Sequence, residues 1–110
     1  PFMTVGAPGG RQIMGTVMRV VHNVLEFGMG MQEACATVSF DASADRVIAD
    51  ADLGDEVCRR LNAMGHSLDV RQQSFMPRLF ASPTGILIDP ETGALHGGAD
   101  PYHPGVAGGY

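Results

Sequence analysis

Two adjacent glycines, Gly9 and Gly10, carry the strongest chemical signal in the sequence. They close a Gly-Ala-Pro-Gly-Gly run at residues 6–10, between a short apolar segment and a long stretch with helical periodicity. In that arrangement free backbone N–H groups meet at the positive end of a helix, and the missing side chains let a ligand approach closely. In acyl transfer, one donor aimed at a developing oxyanion is worth about 3 to 4 kcal/mol of barrier. Such a site can bind an anion, but on the local pattern alone a tight strand-to-helix connection is the favoured interpretation of the two glycines.

Other candidate ligands and nucleophiles have spacings that favour simpler roles. His96, Asp100 and His103 could form a two-histidine, one-carboxylate metal site, but they lie in a glycine-rich stretch without helical spacing, so we expect a solvated tail and no metal. Cys35 and Cys58 belong to no C-x-x-C or Cys/His cluster, and we interpret both as small buried apolar residues, with a disulfide between them left open.

The composition excludes several function classes. All seven basic residues are arginines, which rules out lysine Schiff-base and phosphate-loop chemistry. The net charge is -5 and the arginines form no basic stripe, so nucleic acid is not an expected partner. No apolar stretch is long enough to cross a bilayer. With 110 residues, 45% of them hydrophobic, we expect one packed domain over residues 1–110 and no cofactor.

The elements that must position the two glycines follow from apolar periodicity. Residues 2–5 predict a short strand and residues 11–27 a helix that is buried on most sides, with Gly28 as its C-cap. The rest predicts, in order, a helix at 31–37, an extended piece at 38–40, a strand at 46–49, a helix capped by Asp52 and ending at Met64, a strand at 67–70, an irregular stretch at 72–83, a hairpin of 85–88 with 94–98, and an irregular end at 97–110.

Several runs of the sequence, taken in order, resemble the small subunit of the gamma-glutamyltranspeptidase family. The resemblance spans essentially the whole chain and rests on the order and separation of the runs, since no single motif is specific. The runs are residues 6–13 (GAPGGRQI), 23–29 (NVLEFGM), 32–34 (QEA), 61–66 (LNAMGH), 88–95 (IDPETGAL), 97–101 (GGADP) and 109–110 (GY).

This resemblance implies an α+β fold, namely a portion of a four-layer αββα N-terminal-nucleophile hydrolase sandwich with antiparallel sheet, truncated at its N-terminal side. It implies a Thr, exposed by self-cleavage upstream of Pro1, that attacks the gamma-glutamyl amide of glutathione-like substrates. Of the family's site only Pro8, Gly9 and Gly10 map here, as substrate-binding residues, with the two glycines as the oxyanion hole. The implied partners are the upstream nucleophile-bearing segment and the large subunit of the same precursor, and this chain alone is expected to be inactive.

Three departures from the family pattern indicate a divergent member. Ala7 replaces a Ser, residues 37–41 replace a Pro-Arg-Phe-His stretch, and Tyr102 replaces an Arg. Two alternatives therefore stay open: a related amidohydrolase of the cephalosporin acylase type, and a non-catalytic interaction domain that stands alone. Unpaired strand edges at residues 2–5 predict a homo-oligomer of the isolated chain. The resemblance suggests a periplasmic or secreted protein and leaves the cytoplasm open.

Overall fold

The computed structural model describes residues 1–109, which form three α-helices and two three-stranded sheets. Tyr110, the last residue of the family resemblance, lies outside them. The elements are β1 (Met3–Gly6), a 3-10 turn (Gly10–Gln12), α1 (Ile13–Phe27), α2 (Met31–Ala36), β2 (Phe40–Asp41), β3 (Val47–Asp50), a second 3-10 turn (Ala51–Leu53), α3 (Asp55–Ala63), β4 (Leu68–Arg71), β5 (Thr84–Ile88) and β6 (Leu95–Ala99).

The first sheet has the order β1-β5-β6, and both of its pairings are antiparallel. Because successive side chains on a strand point to opposite faces, one face of this sheet turns toward α1 and α2. Met3, Val5 and Leu87 on that face pack against a buried cluster that includes Val20 and Met31. The predicted hairpin of residues 85–88 with 94–98 is confirmed as β5 and β6.

Helix α2 sits directly on β6 at Gly98. A Cβ atom there would lie 2.6 Å from the backbone N of Gln32 and from the carbonyl carbon of Met31, so only glycine fits. Beside it, the side-chain amide of Gln32 donates to the Ala99 carbonyl at 2.8 Å and accepts from the Ala99 N–H at 3.0 Å. These contacts fix the position of α2 on the sheet.

The second sheet has the order β2-β3-β4. Its β3–β4 pairing is parallel, unlike the antiparallel sheet that we expected, because α3 carries the chain back to the same end between the two strands. The expected N-cap at Asp52 is wrong. The carboxylate of Asp50 accepts a hydrogen bond from the Asp52 N–H at 3.0 Å and caps the second 3-10 turn. Gly54, with a φ of 85°, then turns the chain before α3 begins.

Helix α1 is covered on one side only, so the expectation that it is buried on most sides is wrong. Met14 is 84% exposed and Met18 67% exposed, whereas Val20 is fully buried. Apolar periodicity indicates which residues share a face, but among the described residues α1 packs mainly against β1 and α2. Gly28 is the predicted C-cap, with a φ of 65°. Within residues 1–109 no helix has the length and apolar content that crossing a membrane requires.

Candidate active site

The glycine loop, residues 6–10, connects the end of β1 to the 3-10 turn that precedes α1. Both Gly9 (φ 152°) and Gly10 (φ 61°) have backbone angles that residues with side chains rarely adopt. Within residues 1–109 neither of their N–H groups donates a hydrogen bond. The sequence therefore places two free amide donors just ahead of the N-terminus of a fifteen-residue helix, where the helix dipole is positive.

The long loop, residues 72–83, packs directly against the glycine loop. A Cβ atom at Gly9 would lie 2.6 Å from the Cα of Ala81, so the backbones of the two loops are in contact at this point. The N–H of Ser82 donates to the carbonyl of Pro8 at 3.1 Å. Ala81 is 2% exposed and Ser82 1% exposed, so this half of the long loop is a buried wall behind Pro8 and Gly9.

Gln12 ties the beginning of α1 to the second sheet and to the long loop at once. Its side-chain Nε2 donates to Oδ2 of Asp41 at 3.0 Å and to the carbonyl of Leu79 at 3.1 Å. Sequence reasoning missed this contact because Gln12 and Leu79 are 67 positions apart. The only hint was that residues 37–41 depart from the family pattern, and Asp41 is the last residue of that departure.

Asp41 is a buried carboxylate that the surrounding groups keep ionised. Burial alone would raise its pKa, but hydrogen bonds from Ser43 and Gln12 and the nearby charge of Arg11 together lower the pKa below its ordinary value. The Ser43 N–H bonds its other oxygen, Oδ1, at 3.0 Å. An ionised Asp41 therefore holds both the loop after β2 and the first turn before α1.

A buried arginine anchors the middle of α1. Arg19 Nη1 donates to the Thr37 carbonyl at 3.0 Å and to the Ala34 carbonyl at 3.4 Å, both at the C-terminal end of α2. Burial lowers the pKa of Arg19, an effect that nearby Cys35 and Asp100 partly offset, and burial raises the pKa of Cys35. Both cysteines are buried and free, which confirms their interpretation as apolar residues.

His96, Asp100 and His103, the ligand-competent residues near the end of the sequence, belong to no metal-binding cluster among the described residues. Within the described part of the chain, no three or more His, Cys, Asp or Glu side chains come together as a metal site requires. His96 is exposed on β6. The solvated tail expected for Asp100 is wrong: it is 5% exposed, because its N–H bonds the Pro83 carbonyl at 2.9 Å and its carboxylate accepts the Tyr102 N–H at 3.0 Å.

A cavity of about 1050 Å³ opens on the face of the first sheet that turns away from the helices. Thr4, Gly6, Ile86 and Gly97 line its floor, and residues 106–109 form one side. Pro8, Gly9 and Gly10 do not belong to its lining. The structure thus brings the three predicted site residues together with the long loop, and places this hollow next to β1, where Gly6 at the start of the glycine loop lines it.

Known proteins share both the sequence pattern and the fold of this chain. Residues 1–110 match the family profile described as gamma-glutamyltranspeptidase. A glutathione hydrolase proenzyme of Bacillus subtilis strain 168 is 29% identical over 108 residues, which cover 97% of this chain and 18% of that protein. A glutathione hydrolase proenzyme of Escherichia coli K12 is 24% identical over 91% of this chain and 16% of its own length. The chain therefore spans less than a fifth of these curated relatives.

Solved structures confirm the predicted fold class. A cephalosporin acylase from Bacillus halodurans is 25% identical, with a TM-score of 0.82 over 94% of this chain and 19% of that one. A gamma-glutamyltranspeptidase from Pseudomonas nitroreducens, complexed with L-DON, is 24% identical, with a TM-score of 0.80 over 99% of this chain and 55% of that one. The fold is accordingly a part of an N-terminal-nucleophile hydrolase sandwich.

Proposed function

This chain belongs to the gamma-glutamyltranspeptidase family, and we propose that it supplies the oxyanion-stabilising part of a site that cleaves gamma-glutamyl amides of the glutathione type. A hydroxyl nucleophile, a Thr that lies upstream of Pro1, attacks the amide carbonyl. The amine leaves, and water or an amine acceptor then takes the acyl group from the resulting ester. The N–H groups of Gly9 and Gly10 bind the negative oxygen that both steps generate, with Pro8 beside them.

One observation carries this proposal: among residues 1–109 no group accepts a hydrogen bond from the Gly9 and Gly10 N–H groups at the beginning of α1, although the loop around them is held on three sides. Preorganised donors of this kind need no rearrangement when charge develops, which makes them effective in acyl transfer. Because the nucleophile comes from another segment, the chain requires that segment and the large subunit of the same precursor for turnover. We propose no activity for the isolated chain.

The substrate is a small gamma-glutamyl compound, and a related acylase-type substrate is the alternative within this fold. The curated relatives are glutathione hydrolases, and a structural neighbour of similar TM-score is a cephalosporin acylase. Both reactions break an amide through the same kind of oxyanion. Ala7, Asp41 and Tyr102 depart from the family pattern. The identity of the acyl group that the site accepts is therefore a property to be measured.

Removing one donor at a time tests the proposal. Chemical ligation at Cys35 allows Gly9 or Gly10 to be replaced by glycolic acid, which turns the backbone N–H into an ester oxygen and keeps the shape of the loop. With the nucleophile-bearing segment added, we expect each ester to lower kcat for gamma-glutamyl-p-nitroanilide by about 100- to 1,000-fold.

The same replacement at Gly28 is the matched control, because it removes an N–H that bonds the Asn23 carbonyl at the other end of α1. It is expected to lower the melting temperature and to leave kcat of the folded enzyme unchanged. If the Gly9 and Gly10 esters also leave kcat unchanged, these amides do not bind the oxyanion and the proposal fails.

A second candidate function, association through exposed apolar surface, rests on separate observations. β1 is an edge strand that pairs only with β5 within the described residues, and Met14, Met18 and Leu25 on α1 are more than half exposed. We expect the isolated chain to form homo-oligomers. Sedimentation velocity tests this. A charge on the edge strand, introduced by Thr4→Lys, should shift the distribution of sedimenting species toward the monomer. A wild-type chain that is monomeric at all concentrations would exclude this candidate.

A further inference from the structure

Arg19 is the one arginine that the fold buries. Its side chain, in the middle of α1, is 9% exposed, whereas the other six arginines, all within residues 1–109, are exposed. Nη1 donates to the carbonyls of Thr37 and Ala34, and Nη2 is buried without an acceptor among the described residues. A guanidinium in such a position is costly unless a negative charge lies near it. The position of that charge therefore decides what Arg19 does.

Asp100 provides the negative charge. It is 5% exposed and directly follows Ala99, whose backbone forms two hydrogen bonds with the side chain of Gln32 on α2. Burial lowers the pKa of Arg19, and the negative charges of Cys35 and Asp100 partly offset this effect. Because burial raises the pKa of the Cys35 thiol, that group is neutral at neutral pH. Asp100 is then the negative partner that α2 holds close to Arg19.

The two residues are near each other without a direct ion pair. Within residues 1–109 no carboxylate forms a salt bridge with Arg19. Polar groups of a protein interior that stay beyond direct contact are joined by ordered water, and a buried donor such as Nη2 is where such a water binds. The two charges therefore stabilise each other across a short gap.

Two departures from the family pattern lie at the two ends of this link. When the Pro-Arg-Phe-His stretch is aligned from its first residue, its Arg falls at Val38, next to the Thr37 carbonyl that accepts from Arg19. The other departure, Tyr102, stands where the pattern has an Arg, and its N–H donates to the Asp100 carboxylate at 3.0 Å. Each departure removes a positive charge beside Arg19 or Asp100, and Arg19 itself brings one in.

We propose that Arg19 supplies, from inside α1, the positive charge that the family pattern places at Val38 and Tyr102, and that this charge holds the buried carboxylate of Asp100. The three positions are far apart in the sequence and form a single coupled change, in which an arginine has moved to a neighbouring element. Ion pairs depend on where the charges lie in space, so an arginine on another element can replace one that is lost.

This charge also makes Arg19 a positioning residue for the glycine loop. The Asp100 N–H donates to the Pro83 carbonyl at 2.9 Å, and the N–H of Ser82, one residue earlier, donates to the Pro8 carbonyl at 3.1 Å. Holding Asp100 therefore holds the buried wall behind Pro8 and Gly9. This part of the inference rests on the proposed function, whereas the exchange of charges does not.

A double-mutant cycle on the 110-residue chain tests whether charge joins the two residues. Arg19→Gln leaves the buried carboxylate without its partner and should lower the melting temperature by about 10 °C or more. Asp100→Asn removes the charge and keeps an oxygen for the Tyr102 N–H. In the Asp100→Asn background, Arg19→Gln should cost about half as much or less. Arg60→Gln, which removes an exposed arginine of α3, is the matched control and should change the melting temperature by less than about 2 °C.

Moving the charge back tests the exchange itself. Val38→Arg and Tyr102→Arg restore the family pattern one position at a time. In the wild-type chain each adds a second positive charge near Arg19 and should leave the melting temperature unchanged or lower it. In Arg19→Gln at least one of them should recover about half of the lost melting temperature. The same substitutions in Arg60→Gln, which has the same net charge as Arg19→Gln, should not raise it.

The positioning role is measured in the enzyme assembled with the nucleophile-bearing segment. Arg19→Gln should lower kcat for gamma-glutamyl-p-nitroanilide about tenfold or more and leave KM almost unchanged, because the donors are displaced and the substrate-binding groups are not. The arginine that restores the melting temperature should also restore kcat. An unchanged kcat in Arg19→Gln would exclude the positioning role.

The exchange of charges is overturned if the losses in Arg19→Gln and Asp100→Asn simply add. It is also overturned if neither added arginine raises the melting temperature of Arg19→Gln above its effect in Arg60→Gln. Far-UV circular dichroism shows that each variant is folded before heating, and Tyr102→Arg decides alone if Val38→Arg does not fold. Failure here is distinct from failure of the proposed function, because the ester replacements at Gly9 and Gly10 measure kcat with Arg19 in place.

Discussion

Replacing Gly98 by Ala tests how α2 is seated on the first sheet. The new Cβ would lie 2.6 Å from two backbone atoms of α2, where ordinary van der Waals contact begins at 3.4 Å, so the helix must retreat by about 0.8 Å. The atoms that it meets are backbone, which cannot turn aside as a flexible side chain would. A retreat of this size also lengthens the two hydrogen bonds between Gln32 and Ala99, which are now 2.8 and 3.0 Å.

The magnitude follows from two costs. Overpacking of a tight site costs about 1 to 3 kcal/mol. Two weakened hydrogen bonds add about 1 kcal/mol each at most. Because the two effects share one movement, we expect a total of about 3 kcal/mol in the free energy of unfolding. At about 4 °C per kcal/mol for a chain of this size, the melting temperature should fall by about 12 °C.

Gly15→Ala is the matched control, because the same change in side chain should have the opposite sign there. Gly15 lies inside α1, and a Cβ atom at this position meets nothing within 4 Å. Alanine is favoured over glycine in a helix by about 1 kcal/mol, so this variant should melt about 4 °C higher. Far-UV circular dichroism during heating measures both variants. A Gly98→Ala protein that melts within 2 °C or so of the wild type would show that α2 does not rest on β6 as described.

Two further predictions concern the buried polar groups. The lowered pKa of Asp41 means that its contribution to stability is present above the ordinary carboxyl pKa, about 4, and is lost as the pH falls below that value. Asp41→Asn should therefore flatten the fall in urea midpoint between neutral and acid pH, and an unchanged acid limb would show that Asp41 is not ionised in the folded state. Cys35, which is 2% exposed and has a raised pKa, should react with iodoacetamide only as fast as the protein unfolds. Mass spectrometry of the peptides, with Cys35→Ala as control, measures this rate, and rapid labelling of the folded protein would contradict the packing around α2.

Local patterns predicted those elements whose cause is local. The turn at Asp89 and Gly93 gives the hairpin in the right register, because the Asp89 carboxylate accepts the next N–H groups of the same turn. Where two local solutions competed, the prediction failed. Asp50 and Asp52 are both good cap residues; Asp50 caps the second 3-10 turn, and α3 begins after Gly54 without a side-chain cap.

The candidate site was predictable only in part. Its two glycines are adjacent in the sequence, whereas the residues that surround them are far apart in the sequence. Gly9 and Gly10 became candidates through the family resemblance, because their loop alone favours a plain strand-to-helix connection. Their neighbours Gln12, Asp41 and Leu79 are joined by contacts across 29 and 67 positions, and no periodicity records such contacts. The exposure of Met14 and Met18 was missed for a related reason. The sequence of a helix does not indicate how many other helices and strands pack against it.

The hydrogen bonds of Arg19 fix the middle of α1, so a tilt of the helix about this point displaces its N-terminal end. Six residues separate Arg19 from Ile13, the first residue of α1, which is about 9 Å of helix. Catalytic geometry tolerates displacements of about 0.5 Å, so a tilt of only about 3° around this pivot would exceed the tolerance at the far end. Residues that set the pivot, among them those at the C-terminal end of α2 whose carbonyls accept from Arg19, therefore govern the position of the proposed oxyanion donors about two turns away.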